Sequence, residues 1–191
     1  MQENVYAVPA SVVLDVEDTP VADSGFYVVS PRKFVLLFFA SLGIYQIFWF
    51  YLNWRRQKMA AGLKVQPAVR GLFALFFAHK LFRRIDNQLK ARGVAHQWSP
   101  VRAATIYVVL TIFSAMSDRI LEHSLGQRAS ETLSIVTLCA VLLPLLDAQR
   151  AINAASKDPD GIGNSRFSTA NIVLLVAGAC FWLLILASLI V

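Results

Sequence analysis

Along this chain, apolar positions come in long blocks separated by short charged ones. Residues 34–52 are nineteen consecutive positions without a charge, and as a helix they rise about 28 Å, close to the roughly 30 Å of a bilayer's hydrocarbon core. Residues 103–117 and 132–146 are fifteen uncharged positions each. Both fall short of the ~20 that a span usually needs, but residues 98–101 lengthen the first, and Arg102, Arg119 and Arg150 can snorkel at the ends. Residues 167–191 are twenty-five positions without a charge. The pattern predicts an all-α membrane protein with about four transmembrane helices, near 34–52, 101–117, 132–147 and 168–190.

A different period runs between the first two spans. Leu75, Ala78, Phe82, Ile85 and Leu89 recur at helical steps, with Lys80, Arg83, Arg84, Asp86, Asn87 and Lys90 off that stripe. This predicts an amphipathic helix over about 68–91, interfacial along its basic half and re-entrant where residues 72–77 dip deeper. Ser30-Pro31 pairs an N-cap with a first-turn proline and launches the first span. Pro144 is expected to kink the third. Residues 1–29 hold acids but no Lys or Arg, and Pro9 and Pro20 break any regular element. They read as a flexible acidic tail before a single helical membrane domain, 30–191.

Charge orients this arrangement. Only 16% of residues are charged and the mean hydropathy is +0.55, whereas about a quarter of a soluble domain is charged. Ten of the eighteen Lys and Arg residues fall within 53–100, where Asp86 is the one acid. The positive-inside rule places that interval in the cytoplasm. Four spans then put fourteen bases inside and leave Arg32, Lys33, Arg119 and Arg128 outside, with a periplasmic N-terminus. Because the bases flank apolar blocks, anionic headgroups account for them and no nucleic acid is expected as a partner. No base precedes an apolar run in the first thirty residues, so the first span itself is expected to direct insertion. Cys139 and Cys180 lie inside apolar blocks and read as packing residues.

The chemistry-bearing residues are few. Asp158 and Asp160 stand two apart before Gly161, but the other oxygen ligands of a calcium loop are missing, so a polar turn is the expectation. His79, His96 and His123 lack metal spacing. Asp147 and Arg150, at i and i+3, form a candidate intramembrane polar pair at the end of a span. No nucleophile–base pattern or phosphate-cradling loop is present, so no catalytic residue, metal or cofactor is assigned. Tyr45, Phe48, Trp49, Phe50, Tyr51 and Trp54 precede Arg55 and Arg56, an order that reads as an aromatic belt at a membrane–water boundary. Trp49, Tyr51, Trp54, Arg55 and Arg56 are accordingly the candidate protein-partner interface, and Lys80, Arg83, Arg84 and Lys90 the candidate anionic-lipid contacts.

Val29-Ser30-Pro31-Arg32-Lys33-Phe34, Gly43-Ile44-Tyr45 and the run from Phe48 to Trp54 resemble the first-helix signature of a family of uncharacterised bacterial polytopic inner-membrane proteins. Leu143-Pro144, Gln149-Arg150-Ala151-Ile152-Asn153 and Asn164-Ser165-Arg166-Phe167 are similar to its later part. The resemblance implies a bacterial inner-membrane location and no particular activity. Asn4 to Pro9 resembles a tail motif of other bacterial membrane proteins whose tails are cytoplasmic, which argues against a periplasmic N-terminus. The functional expectation is a non-catalytic accessory, regulatory or scaffold protein that binds a protein or lipid partner. The alternatives are a small transporter or lipid-handling enzyme using groups near Asp118, Asp147 and Arg150, which needs a polar cavity at bilayer depth, and an immunity protein against a membrane-active toxin.

Overall fold

A computed structural model describes residues 25–125 and 127–190, apart from the side chains of 117–127 and 188–190. Most of the expected acidic tail therefore lies outside the described residues, as do the side chains of Asp118 and His123. The described chain is an all-α bundle: α1 (Pro31–Ala40), α2 (Tyr45–Ala61), α3 (Pro67–Leu72), α4 (Ala74–Ala91), α5 (Pro100–Leu125), α6 (Gln127–Ala155) and α7 (Thr169–Ile190). Arg128–Ala155 and Thr169–Ala187 are long and apolar enough to cross a membrane, and Pro100–Met116 is a shorter apolar stretch. Only 6% of the α7 stretch is buried inside the chain, so the described residues leave most of its apolar surface uncovered.

The expected first span is not one helix. Phe34 and Trp49 would be about 22 Å apart along a straight helix, yet their ring centroids stand 5.9 Å apart, and Phe34 also meets Tyr45 at 5.6 Å. The chain folds back between α1 and α2, making a helical hairpin with its turn at residues 41–44. Local bonding explains the stop. Leu42 and Gly43 both take positive φ, at 51° and 85°, and Gly43 N–H donates to Phe38 O at 2.8 Å while Leu42 N–H donates to Phe39 O at 3.0 Å. This pair of bonds closes a helix C-terminus by satisfying carbonyls that have no partner within the helix. Ser41 then serves both helices, its Oγ donating to Phe38 O at 3.1 Å and accepting from Tyr45 N–H at 2.8 Å.

The remaining helices enclose this hairpin. α3 returns across α2 so closely that a methyl group at Gly71 would stand 2.9 Å from Ile47 O and from Tyr51 Cβ. Phe73 interrupts the amphipathic helix expected over 68–91, dividing it into α3 and α4. On α4 the predicted stripe is buried from Ala78 onward: Ala78, Phe82 and Ile85 have no exposure and Leu89 is 2% exposed, while Leu75 is half-buried. It is docked on the bundle, and the basic face, with Phe76, remains outward. α5 and α6 pack as a long antiparallel pair and α7 lies along α1. At Gly178 any side chain would overlap the Ala40 carbonyl, and Trp182 Nε1–H donates to Phe39 O at 2.8 Å. Gly178 lies nine residues into α7, about 14 Å along its axis. The hairpin turn is therefore level with the middle of α7.

A non-helical strand of chain, residues 25–30, is tied into one end of the bundle by side-chain amides. Asn53 Oδ1 accepts from Tyr27 N–H at 3.0 Å, and Gln57 Nε2 donates to Gly25 O at 2.8 Å. Gln149 Nε2 donates to Tyr27 O at 3.2 Å, and Asn153 Nδ2 to Val29 O at 3.0 Å. Asn164 Nδ2 donates to Val28 O at 2.9 Å, and Lys33 Nζ donates to Asn164 Oδ1 at 2.7 Å and Arg166 O at 2.6 Å. Burial pulls the Lys33 pKa below the ordinary lysine value. Sequence placed the strand and the basic region 53–100 on opposite sides of a membrane. They are bonded to each other at the same end of the protein, because the hairpin returns the chain to where it started.

Candidate functional site

The candidate partner residues separate once they are placed. Trp49 and Trp54 have no exposure, so neither can be a surface anchor. Trp49 lies edge-on to Phe34, Phe50 and Phe82 and donates its Nε1–H to Gln149 Oε1 at 2.5 Å. Trp54 is covered by the Arg70 guanidinium, 4.2 Å from its ring centroid. The aromatic run is core on one side and surface on the other: Ile44, Ile47 and Phe48 remain exposed. Tyr51 is half-buried and Arg55 exposed. Arg56 Nη1 donates to Phe26 O at 3.0 Å and its guanidinium stands 5.7 Å from the Tyr27 ring centroid.

The basic face of α4 forms a groove. A cavity of about 870 Å³ opens between the C-terminal half of α2 and α4. Its cationic wall is Lys80, Arg83, Arg84 and Arg92, with His79 beside them; Ala60, Ala61 and Phe76 give it an apolar side. The α4 helix, wound at 3.6 residues per turn, puts Lys80, Arg83 and Arg84 on one flank because its opposite stripe is held by the core. Arg84 Nη1 donates to Gln57 Oε1 at 3.4 Å, and Arg92 Nη1 to Ala155 O at 2.7 Å, so the groove is fastened to α2 and to the end of α6. His79 Nε2 and Thr105 Oγ1 are 3.1 Å apart. Of the four candidate lipid contacts, the structure brings Lys80, Arg83 and Arg84 together. Lys90 instead pairs with Asp86 at 2.7 Å. Arg92 was missed by sequence reasoning, and the signal was its position two residues past Lys90 on the same basic run.

Asp147 and Arg150 are 3.8 Å apart on α6, with both side chains more than half exposed. They form a surface pair. The Asp158 turn is held by its own backbone: Oδ1 accepts from Ile162 N–H at 2.8 Å and Oδ2 from Gly163 N–H at 2.9 Å. Cys139 and Cys180 are exposed on the outer faces of α6 and α7, rather than packed inside as sequence suggested. Among the described residues no cluster of His, Cys, Asp or Glu could hold a metal ion.

A second cavity, of about 780 Å³, lies beyond the hairpin turn between α5, α6 and α7. Gln46, Thr111, Ser114, Ser130, Glu131 and Ser134 give it polar walls. The hairpin and the α5–α6 pair bring them to one cavity.

Compared with protein families, curated proteins and solved structures, the chain matches none.

Proposed function

We propose that this is a non-catalytic inner-membrane protein that acts by binding, with the groove between α2 and α4 taking anionic lipid headgroups beside a protein partner. The observation that carries the reading is the composition of that groove: four cationic side chains face an apolar wall at the end of the bundle where the membrane surface would lie. Each base near an anionic surface contributes on the order of 1 kcal/mol, an attraction screened within about 10 Å at 0.1 M salt. Phe76, Phe73 and Leu72, exposed beside the groove, suit the acyl side of the same lipid.

Orientation follows from charge. Sixteen of the eighteen Lys and Arg residues belong to the end that holds the strand, the groove and the 156–168 loop; Arg119 and Arg128 belong to the other. The positive-inside rule then puts the groove and the N-terminal strand in the cytoplasm, with α1–α2 a re-entrant hairpin and α5, α6 and α7 crossing. Impermeant maleimide on intact cells, applied to a chain freed of Cys139 and Cys180, should label Ser124→Cys and spare Ser11→Cys and Ala61→Cys. External labelling of position 11 would refute this orientation.

Lipid preference is tested on the full chain in nanodiscs. Mass spectrometry of retained lipid should show phosphatidylglycerol enriched over phosphatidylcholine, and Lys80→Glu with Arg83→Glu should cut that enrichment about tenfold or more. Equal retention of both lipids by the unaltered protein would remove the groove from the account.

A further inference from the structure

The described chain begins at Gly25, and Gly25 stands at the rim of the basic groove. Its carbonyl accepts from Gln57 Nε2 at 2.8 Å, and a methyl group at Gly25 would stand 2.8 Å from Ala60 Cβ. Gln57 and Ala60 both line the groove. Gln57 Oε1 also accepts from Arg84 at 3.4 Å, so the preceding segment joins the bundle near the middle of the cationic wall.

That segment is the acidic part of the sequence. Residues 1–24 hold Glu3, Asp15, Glu17, Asp18 and Asp23 and no Lys, Arg or His. All but Glu3 lie within ten residues of Gly25, and at about 3.3–3.6 Å per residue an extended chain gives them a reach of up to roughly 35 Å. Lys80 and Arg92, at the two ends of the cationic wall, are only about 18 Å apart along α4. Arg84 and Arg92 already donate to Gln57 and Ala155. Lys80 and Arg83 are exposed, and among the described residues their side chains make no hydrogen bond or ion pair. The apolar wall has a match as well. Asp15 and Glu17 alternate with Leu14 and Val16, and alternate side chains of an extended chain face opposite ways. Acids turned to α4 therefore turn Leu14 and Val16 toward Phe76 and Ala61.

We propose that residues 15–23 dock in the groove between α2 and α4, with Asp15, Glu17 and Asp18 pairing with Lys80 and Arg83, so that the chain carries an anionic occupant of its own for this site. Attachment at Gly25 keeps the segment at an effective concentration on the order of millimolar. Anionic headgroups then enter the groove only by displacing it. That consequence rests on the lipid reading above; the docking itself does not.

The test uses the full chain, freed of Cys139 and Cys180, in nanodiscs. Nitroxides at Thr19→Cys and at Met59→Cys, the latter exposed and outside the groove lining, report their separation by pulsed electron resonance. In phosphatidylcholine one narrow distance distribution is expected, at least about twofold broader in ~1 M salt, where charges are screened beyond about 3 Å. Lys80→Glu with Arg83→Glu should broaden it equally, and adding Glu17→Lys with Asp18→Lys to that variant should narrow it again. A broad distribution in the unaltered chain overturns the proposal, and so does a narrow one that Lys80→Glu with Arg83→Glu leaves as it was. Should that variant fail to fold, Glu17→Lys with Asp18→Lys alone decides the same way. In phosphatidylglycerol the headgroups should displace the segment and broaden the distribution. A distribution that stays narrow there supports the docking and counts against the lipid preference of the groove, so the two readings fail separately.

Discussion

At the scale of single residues, Gln149 ties three parts of the structure together. Its carbonyl accepts from Trp49, and its amide donates to Tyr27 O and to Asn153 Oδ1 at 2.7 Å. A truncation leaves two buried groups, Trp49 Nε1 and Asn153 Oδ1, and the part-buried Tyr27 O short of a partner, each buried one worth about 1–3 kcal/mol when unsatisfied. Gln149→Ala should therefore lower stability by about 3 kcal/mol or more in thermal unfolding of the detergent-extracted protein. Arg150→Ala, one residue on and exposed, should change it by less than about 0.5 kcal/mol, since exposed ion pairs contribute little. Equal effects at the two positions would contradict the buried network. The clue was visible in the sequence: Asn53 with Gln57, and Gln149 with Asn153, are amide pairs at helical i, i+4 spacing. Trp49 and Trp54 drew the interface reading because aromatic rings before a basic cluster look alike whether they face headgroups or a core.

At the scale of elements, the amphipathic stripe was legible and the hairpin was not. The α4 stripe identified the buried positions because a period of 3.6 survives whatever the stripe packs against. Its partner was misassigned, since apolar spacing alone does not distinguish a bilayer from a neighbouring helix. The hairpin was hidden for a related reason. Ser41, Leu42 and Gly43 carry no charge, so the run from 34 to 52 passes for one span by length and hydropathy, and the break lies in the backbone. Spin labels should read it directly. Nitroxides at Pro31 and Met59 are expected at the same headgroup depth, with one at Ile44 the deepest of the series. Depth rising steadily from residue 34 to 52 would restore the single span. Gly178→Leu should separate α7 from α1 at Ala40, lowering the melting temperature and raising exchange at the Trp182 indole; an unchanged melting temperature would mean that α7 is held elsewhere.

At the scale of the whole molecule, the protein closes on itself through the strand at residues 25–30. Five side-chain amides, of Asn53, Gln57, Gln149, Asn153 and Asn164, bond to that strand's backbone. A chain lacking residues 1–30 should lose its monodisperse peak in detergent size-exclusion chromatography, because those amides lose their backbone partners and the core loses Phe26 and Val29, both fully buried. Recovery of a sharp peak would show the strand to be dispensable. The same closure sets a timetable for biosynthesis. Val28 must wait for Asn164, which is translated more than a hundred residues later; at about 5–20 residues per second this is a delay on the order of ten seconds. During that interval the first hairpin has neither its clasp nor the α7 surface against which Ala40 packs. Newly made chains should therefore depend on an insertase or chaperone to shelter that hairpin until the ribosome has released the last helix.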